Sequence, residues 1–281
     1  MTPFVFRRHA VGVAILSFAS LAATAQDAAP TLKEITVTGN PLGATQLIAP
    51  TTALSGDALL LRSQSTLGET LDGLPGVSSS YFGPNASRPS IRGQDGDRIR
   101  ILQNGGAAPD ASALSYDHAV PVDALVTERI EVLRGPSALQ YGGSAVGGVV
   151  NVIDNRIPSE PVNGFGGRAD LGYATGNKEK SGGVLLEGGN DRYAIHVDAF
   201  NRDSDDVRVP IELGCSKPGS PALARRICNS ANVARGGAIG GSVFFDQGYI
   251  GASASTYRST YGTVAEDEVT IGMKSDRYAL E

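Results

Sequence analysis

The sequence predicts a small α+β domain, a mixed sheet with short helices, followed by the first antiparallel strands of a transmembrane β-barrel. Three observations carry this prediction. The chain opens on an export-signal pattern, its middle third holds short strand-like and helix-like runs punctuated by Gly, Pro and Asp, and its last third alternates apolar and polar residues with period two. The 281 residues include 36 Gly and no Trp, with 19% charged residues and a net charge of -5. That is too apolar and too weakly charged for general disorder. An acidic chain without a basic stripe is a poor nucleic-acid binder, so no nucleic-acid partner is expected.

At the N-terminus Arg7-Arg8-His9 precedes an apolar run from Ala10 to Leu21 and a small-x-small pattern at Ala23-Thr24-Ala25, which reads as a Sec signal peptide over 1–25. The run is shorter than the roughly 18–20 residues that a spanning helix needs. The mature chain is therefore expected to be exported, and to meet a membrane only as a β-barrel. Residues 26–50 are rich in Ala, Thr and Pro, with one β-prone island at 32–39. A short extended segment of this kind suits strand addition to a partner's sheet edge.

From Asp57 to Leu74 apolar residues recur at helical spacing, with Ser65 and Glu69 offering capping chemistry for the second of two short helices. Short strands are expected at Arg88–Arg92, Asp97–Gln103, Glu128–Arg134 and Gly147–Ile153, closing an α+β unit over 51–158. Glycines 142, 143, 147 and 148 are expected to serve tight turns or positive φ.

Beyond residue 158 the alternating segments are longer. Tyr193, Ile195, Val197 and Ala199 alternate with Arg192, His196 and Asp198, and Val269, Ile271 and Met273 alternate with Glu268, Thr270 and Lys274. One face of each is apolar and the other polar. A soluble sandwich would alternate too, but the short connections near Asn190 and Gln247 lie on one side and the long stretch from Asn201 to Ala234 on the other, as in bacterial outer-membrane barrels. About six strands fit into 159–281, fewer than the roughly eight of the smallest barrels. The expectation is a barrel begun but not closed, in a chain that is a fragment. His196, on the polar face, is expected to line the lumen. Cys215 and Cys228 share one polar loop of an exported chain and are expected to form a disulfide.

The middle of the chain resembles the plug domain of TonB-dependent receptors. The residues that carry the resemblance are Leu74-Pro75-Gly76-Val77, Arg88-Pro89-Ser90-Ile91-Arg92-Gly93, Asp97 to Gly105, Glu128 to Pro136 and Tyr141 to Ile153, in that order. The resemblance implies that Glu34, Ile35, Thr36, Val37 and Thr38 form a TonB box contacting TonB and its inner-membrane proton-driven complex, and that the plug sits inside a 22-stranded barrel. Arg92 and Arg134 are expected to contact the barrel wall from the plug. Within the family, Ser115 to Val120 resembles the ZnuD-type zinc receptors, which implies Asp117 and His118 as metal ligands and zinc as the transported ligand. Imidazole nitrogen with carboxylate oxygen suits zinc, which usually wants four ligands. The alternatives are a solvated Asp-His loop pair, a haem, siderophore or cobalamin receptor on the same fold, and a surface-binding remnant without transport. Gly164 to Ala169 fits the dinucleotide pattern, but an alternating strand follows where a helix should start. No nucleophile elbow, HExxH or CxxC is present, so neither an enzyme nor a catalytic cofactor is expected.

Overall fold

The computed structural model describes residues 51–281, apart from residue 109. The signal peptide read at 1–25 and Glu34 to Thr38, the residues expected to contact TonB, lie outside the described residues.

The plug begins with β1 (Thr51–Ser55), α1 (Gly56–Leu60) and α2 (Leu67–Leu71). The α2 cap is Thr66, whose side chain accepts from the Glu69 amide at 3.3 Å. Ser65, the residue expected to cap, instead donates its hydroxyl to the Pro84 carbonyl at 2.6 Å. The shift of one residue follows from the extended backbone at Thr66, which aims its oxygen along the helix axis. A hairpin of β2 (Val77–Ser79) and β3 (Pro89–Ile91) follows, then β4 (Ile99–Gln103), β5 (Gly106–Ala107), β6 (Arg129–Leu133) and β7 (Gly148–Ile153). The main sheet has the order β1-β6-β7-β4-β5, with β4 and β7 parallel and the other pairs antiparallel.

The continuous apolar run of β7 reflects a strand covered on both faces, where alternation is not required. Leu59, Leu71, Ile91, Ile130, Val132 and Val150 form the centre of the plug core at 0% exposure. Of the four glycines singled out, Gly142 and Gly148 take positive φ (102° and 151°), and a Cβ on Gly147 would stand 2.6 Å from the Gln94 side chain. Gly143 has open space around it and needs neither freedom.

The second sheet is built from β8 (Gly164–Ala174), β9 (Glu179–Gly189), β10 (Tyr193–Ser204), β13 (Asn232–Phe245), β14 (Gly248–Thr263) and β15 (Glu266–Leu280). Between β10 and β13, β11 (Arg208–Gly214) and β12 (Leu223–Arg226) form a separate hairpin in the long connection. Neighbours pair antiparallel in chain order and the sheet does not close. These are strands of an unclosed barrel beside a plug domain. No helix among the described residues is long and apolar enough to cross a membrane. The Cys215–Cys228 disulfide, with a Cα separation of 5.4 Å, closes the loop that runs from the end of β11 through β12.

Strand β10 alternates strictly between exposed and buried residues. Tyr193, Ile195 and Val197 face away from the plug, while Ala194, His196, Asp198, Phe200 and Arg202 are buried against it. With Phe165, Leu171, Ile239, Val243, Ile250, Tyr278 and Leu280 the outward residues make an exposed apolar band. Strand β15 carries a reversal. Ile271 and Met273 turn inward to pack on Ala86, Ala119 and Tyr261. The outward positions beside them, Thr270, Gly272 and Lys274, are polar or small because this half of the strand extends past the apolar band.

Candidate functional site

The plug meets the concave face of the wall through two buried charge clusters. Nearer the short turns, Arg156, in the segment joining plug to wall, makes a two-pronged contact with Asp198 on β10, at 2.8 and 3.1 Å. It also pairs with Asp154 at 3.2 Å. His196 is fully buried, with Nε2 3.1 Å from Asp198 and Nδ1 2.9 Å from Glu187 on β9. Asn155 donates to the same Glu187 at 2.9 Å. Nearer the long connection, Arg202 contacts Asp123 of the plug at 3.2 and 3.3 Å and also bonds Glu179. Arg168 on β8 donates to the carbonyls of Leu125 and Thr127 at 3.0 and 2.8 Å. Ions this deeply buried are tolerated only when paired, so each cluster ties the plug to one place on the wall.

Arg92 and Arg134, the residues expected to contact the barrel wall, follow the ends of β3 and β6, away from these clusters' residues in sequence. Arg134 donates to the Pro75 carbonyl and to the Thr52 hydroxyl, both within the plug. Arg92 is exposed at a φ of 52° and its amide donates to Gly76. The ends of β3 and β6 converge on the turn at Leu74–Gly76, which brings the Arg92 amide and the Arg134 guanidinium to that turn. His196 lies on the inner face of β10, and the plug covers it there. The overlooked signal was a charged inner face on β10, His196, Asp198 and Arg202 at spacing two and four, which needs a polar partner if the interior is filled.

At the long-connection end, the plug loop holding Asp117 and His118 is fastened to β14 by Tyr261. Its hydroxyl accepts from the Ala119 amide at 2.8 Å and donates to the Asp117 carbonyl at 2.9 Å. His118 Nδ1 lies 2.9 Å from the Asp117 carboxylate, which also accepts from the Ser115 hydroxyl. The Ser115 hydroxyl first, and His118 after it, hold the Asp117 carboxyl below the ordinary carboxylate range. Both side chains are partly exposed. The pair could offer one nitrogen and one carboxylate to a metal. Among the described residues no third His, Cys, Asp or Glu joins it in a ligand cluster. Asp267 does lie beside Cys215 and Cys228, but sulfurs joined in a disulfide are not available as thiolates.

Glu131 on β6 is 2% exposed, beside Arg129 at 3.0 Å and Asn151 at 3.4 Å. Burial raises its carboxyl above the ordinary value of 4.5. A carboxyl raised in the folded state contributes fully below the unfolded value and loses that contribution as pH rises through the folded one. Glu131→Gln stays neutral throughout. Its plug is therefore expected to melt progressively later relative to the parent as pH is raised above 4.5, whatever the offset at low pH. Calorimetry of the two proteins across that range checks this, and parallel melting curves would contradict it.

Residues 44–149 match the family described as TonB-dependent Receptor Plug Domain. Curated relatives include the Vitamin B12 transporter BtuB of Vibrio vulnificus, 30% identical over 154 residues that cover 51% of this chain and 25% of the relative. The same-named protein of Photobacterium profundum is 29% identical over 185 residues, 60% of this chain and 30% of the relative. Among solved structures, Copper transporter OprC superposes with a TM-score of 0.64 at 18% identity, over 82% of this chain and 34% of that one. The siderophore receptor PirA from Pseudomonas aeruginosa gives 0.58 at 19%, over 84% and 37%. At these identities the structures speak to fold. The chain spans 25% to 30% of the curated relatives' length.

Proposed function

We propose that this chain supplies the plug and first wall strands of a TonB-dependent outer-membrane receptor for energised uptake of a scarce, metal-bearing nutrient. The observation that carries the reading is the plug's seat: buried ion pairs from Arg156 and Arg202 hold it against the concave face of the strands, so passage requires the plug to be remodelled. In this reading residues 1–25 direct export, 51–158 form the plug and 159–281 begin the wall. TonB pairs with Glu34, Ile35, Thr36, Val37 and Thr38 by strand addition, and the inner-membrane proton gradient supplies the work. The protein performs no catalysis and needs no catalytic cofactor.

Zinc is the cargo we propose, with Asp117 and His118 supplying two ligands at the outer end of the plug and the rest coming from elsewhere in the receptor. The names of the relatives, which carry cobalamin, copper and siderophores, favour a second reading in which the cargo is a metal chelate.

One uptake panel tests both. Cells carrying the whole receptor are expected to accumulate radiolabelled zinc faster than cells lacking it. Ile35→Pro removes a strand hydrogen bond and is expected to abolish that gain while zinc binding to the purified receptor stays intact. Asp117→Ala with His118→Ala is expected to lower binding itself. Equal zinc accumulation with and without the receptor, alongside receptor-dependent uptake of cobalamin or a ferric siderophore, would replace zinc by the chelate. No receptor-dependent uptake of any of them would reject transport.

A further inference from the structure

Three basic side chains stand in one cross-strand row on the outward face of the wall. Arg235 on β13 pairs in register with Arg258 on β14, and Arg258 with Lys274 on β15. On the other side the row continues to Asn201 on β10. The strand alternation fixes their direction: Ser259 and Tyr261, odd-numbered on β14, are 5% and 2% exposed toward the plug, so Arg258 points the opposite way. Arg235 is exposed, and the Arg258 and Lys274 side chains are 40% and 65% exposed.

The row also has a defined height. Four residues along each strand toward the short turns, Ile239, Ala254 and Tyr278 form the parallel outward row of the apolar band. Ile239 and Tyr278 are 60% and 81% exposed there. On β13, β14 and β15 the basic row therefore stands just past the band's edge, on the side of the long connection, while the same register row on β8 carries the apolar Leu171. In the tilted strands of a barrel that edge is where hydrocarbon gives way to lipid headgroups.

Like charges placed directly opposite on neighbouring strands repel. Among the described residues Asp276 alone offsets them, at 3.3 Å from Arg258 and 3.4 Å from Lys274, and no acidic side chain pairs with Arg235. Neighbouring strands lie about 4.8 Å apart, so the three cationic heads can converge on one group with several anionic oxygens. Guanidinium forks match phosphate oxygens two at a time.

We propose that Arg235, Arg258 and Lys274 bind the phosphate of an anionic lipid headgroup in the leaflet at the long-connection end of the wall. The inference rests on the reading of β8–β15 as membrane strands. The whole receptor is placed in phosphatidylcholine nanodiscs with and without lipid A, and bound lipid A is counted by native mass spectrometry as its concentration is varied. A triple variant, Arg235→Gln, Arg258→Gln and Lys274→Gln, is expected to insert normally and bind lipid A about a hundredfold more weakly, at roughly fivefold per basic side chain near a charged surface. Replacing both arginines by Lys is expected to restore most of the binding. Unchanged binding by the triple variant, equal binding of dephosphorylated lipid A, or inorganic phosphate alone binding as tightly would each overturn the assignment. Failure of the unaltered receptor to insert would instead remove the membrane reading beneath it.

Discussion

Arg156→Ala in the complete receptor is expected to loosen the plug from the wall, lowering the plug's melting midpoint by roughly 10–20 °C and making the outer membrane leak to large hydrophilic antibiotics. The Arg156 side chain is 12% exposed, and the Asp198 carboxylate that it grips is 0% exposed. Removing the cation leaves Asp198 buried beside Glu187, with His196 bridging the two carboxylates. Breaking a buried pair from one side costs about 3–5 kcal/mol, because the remaining ion is stranded. For a plug of this size that energy corresponds to the stated shift in midpoint. Asp198→Asn is expected to cost less, since it also removes the stranded charge. The double substitution should fall well short of the sum, as coupled partners do. An Arg156→Ala receptor that melts and excludes antibiotics like its parent would show that the pair holds nothing.

Much of this architecture was legible in the sequence, for local reasons. The β7 run is apolar because both of its faces are covered, and β10 alternates because its two faces meet different surroundings. Those two textures separate plug from wall within the sequence itself. What was not legible depends on which face looks where. Period-two alternation in β15 marks two faces without saying which is inward, and Ile271 and Met273 proved to face the plug. The Arg134 bonds to the Pro75 carbonyl and the Thr52 hydroxyl depend on how β3 and β6 converge, which no local pattern gives. Arg156, Arg168 and Arg202 gave no local signal beyond charge, since a polar inner face suits a water-filled lumen as well as a filled one. Asp117 and His118 were found as a pair, and the Tyr261 contact that fastens their loop to the wall spans more than a hundred residues of sequence.

Gly240→Ala tests the same seat without touching a charge. A Cβ on Gly240 would stand 1.9 Å from the Arg156 carbonyl oxygen, and one on Gly251 would stand 2.2 Å from the Ile157 side chain. Gly240 is the register partner of both His196 and Ser253, so the joining segment lies directly on the wall where the charge cluster sits. Backbone cannot yield at that distance as a flexible side chain could. The segment must lift, and the Arg156 contact must lengthen with it. Overpacking of this kind costs about 1–3 kcal/mol, and the loss of the ion pair adds to it. The plug midpoint is therefore expected to fall nearly as far as in Arg156→Ala. Gly272→Ala, which meets nothing within 4 Å, is expected to stay within about 0.5 kcal/mol of the parent. Because both substitutions unseat one segment, Gly240→Ala added to Arg156→Ala should cause little further loss. Fully additive midpoints in the double variant would mean that the glycine and the ion pair hold the plug independently, and that the joining segment is not the unit through which it is anchored.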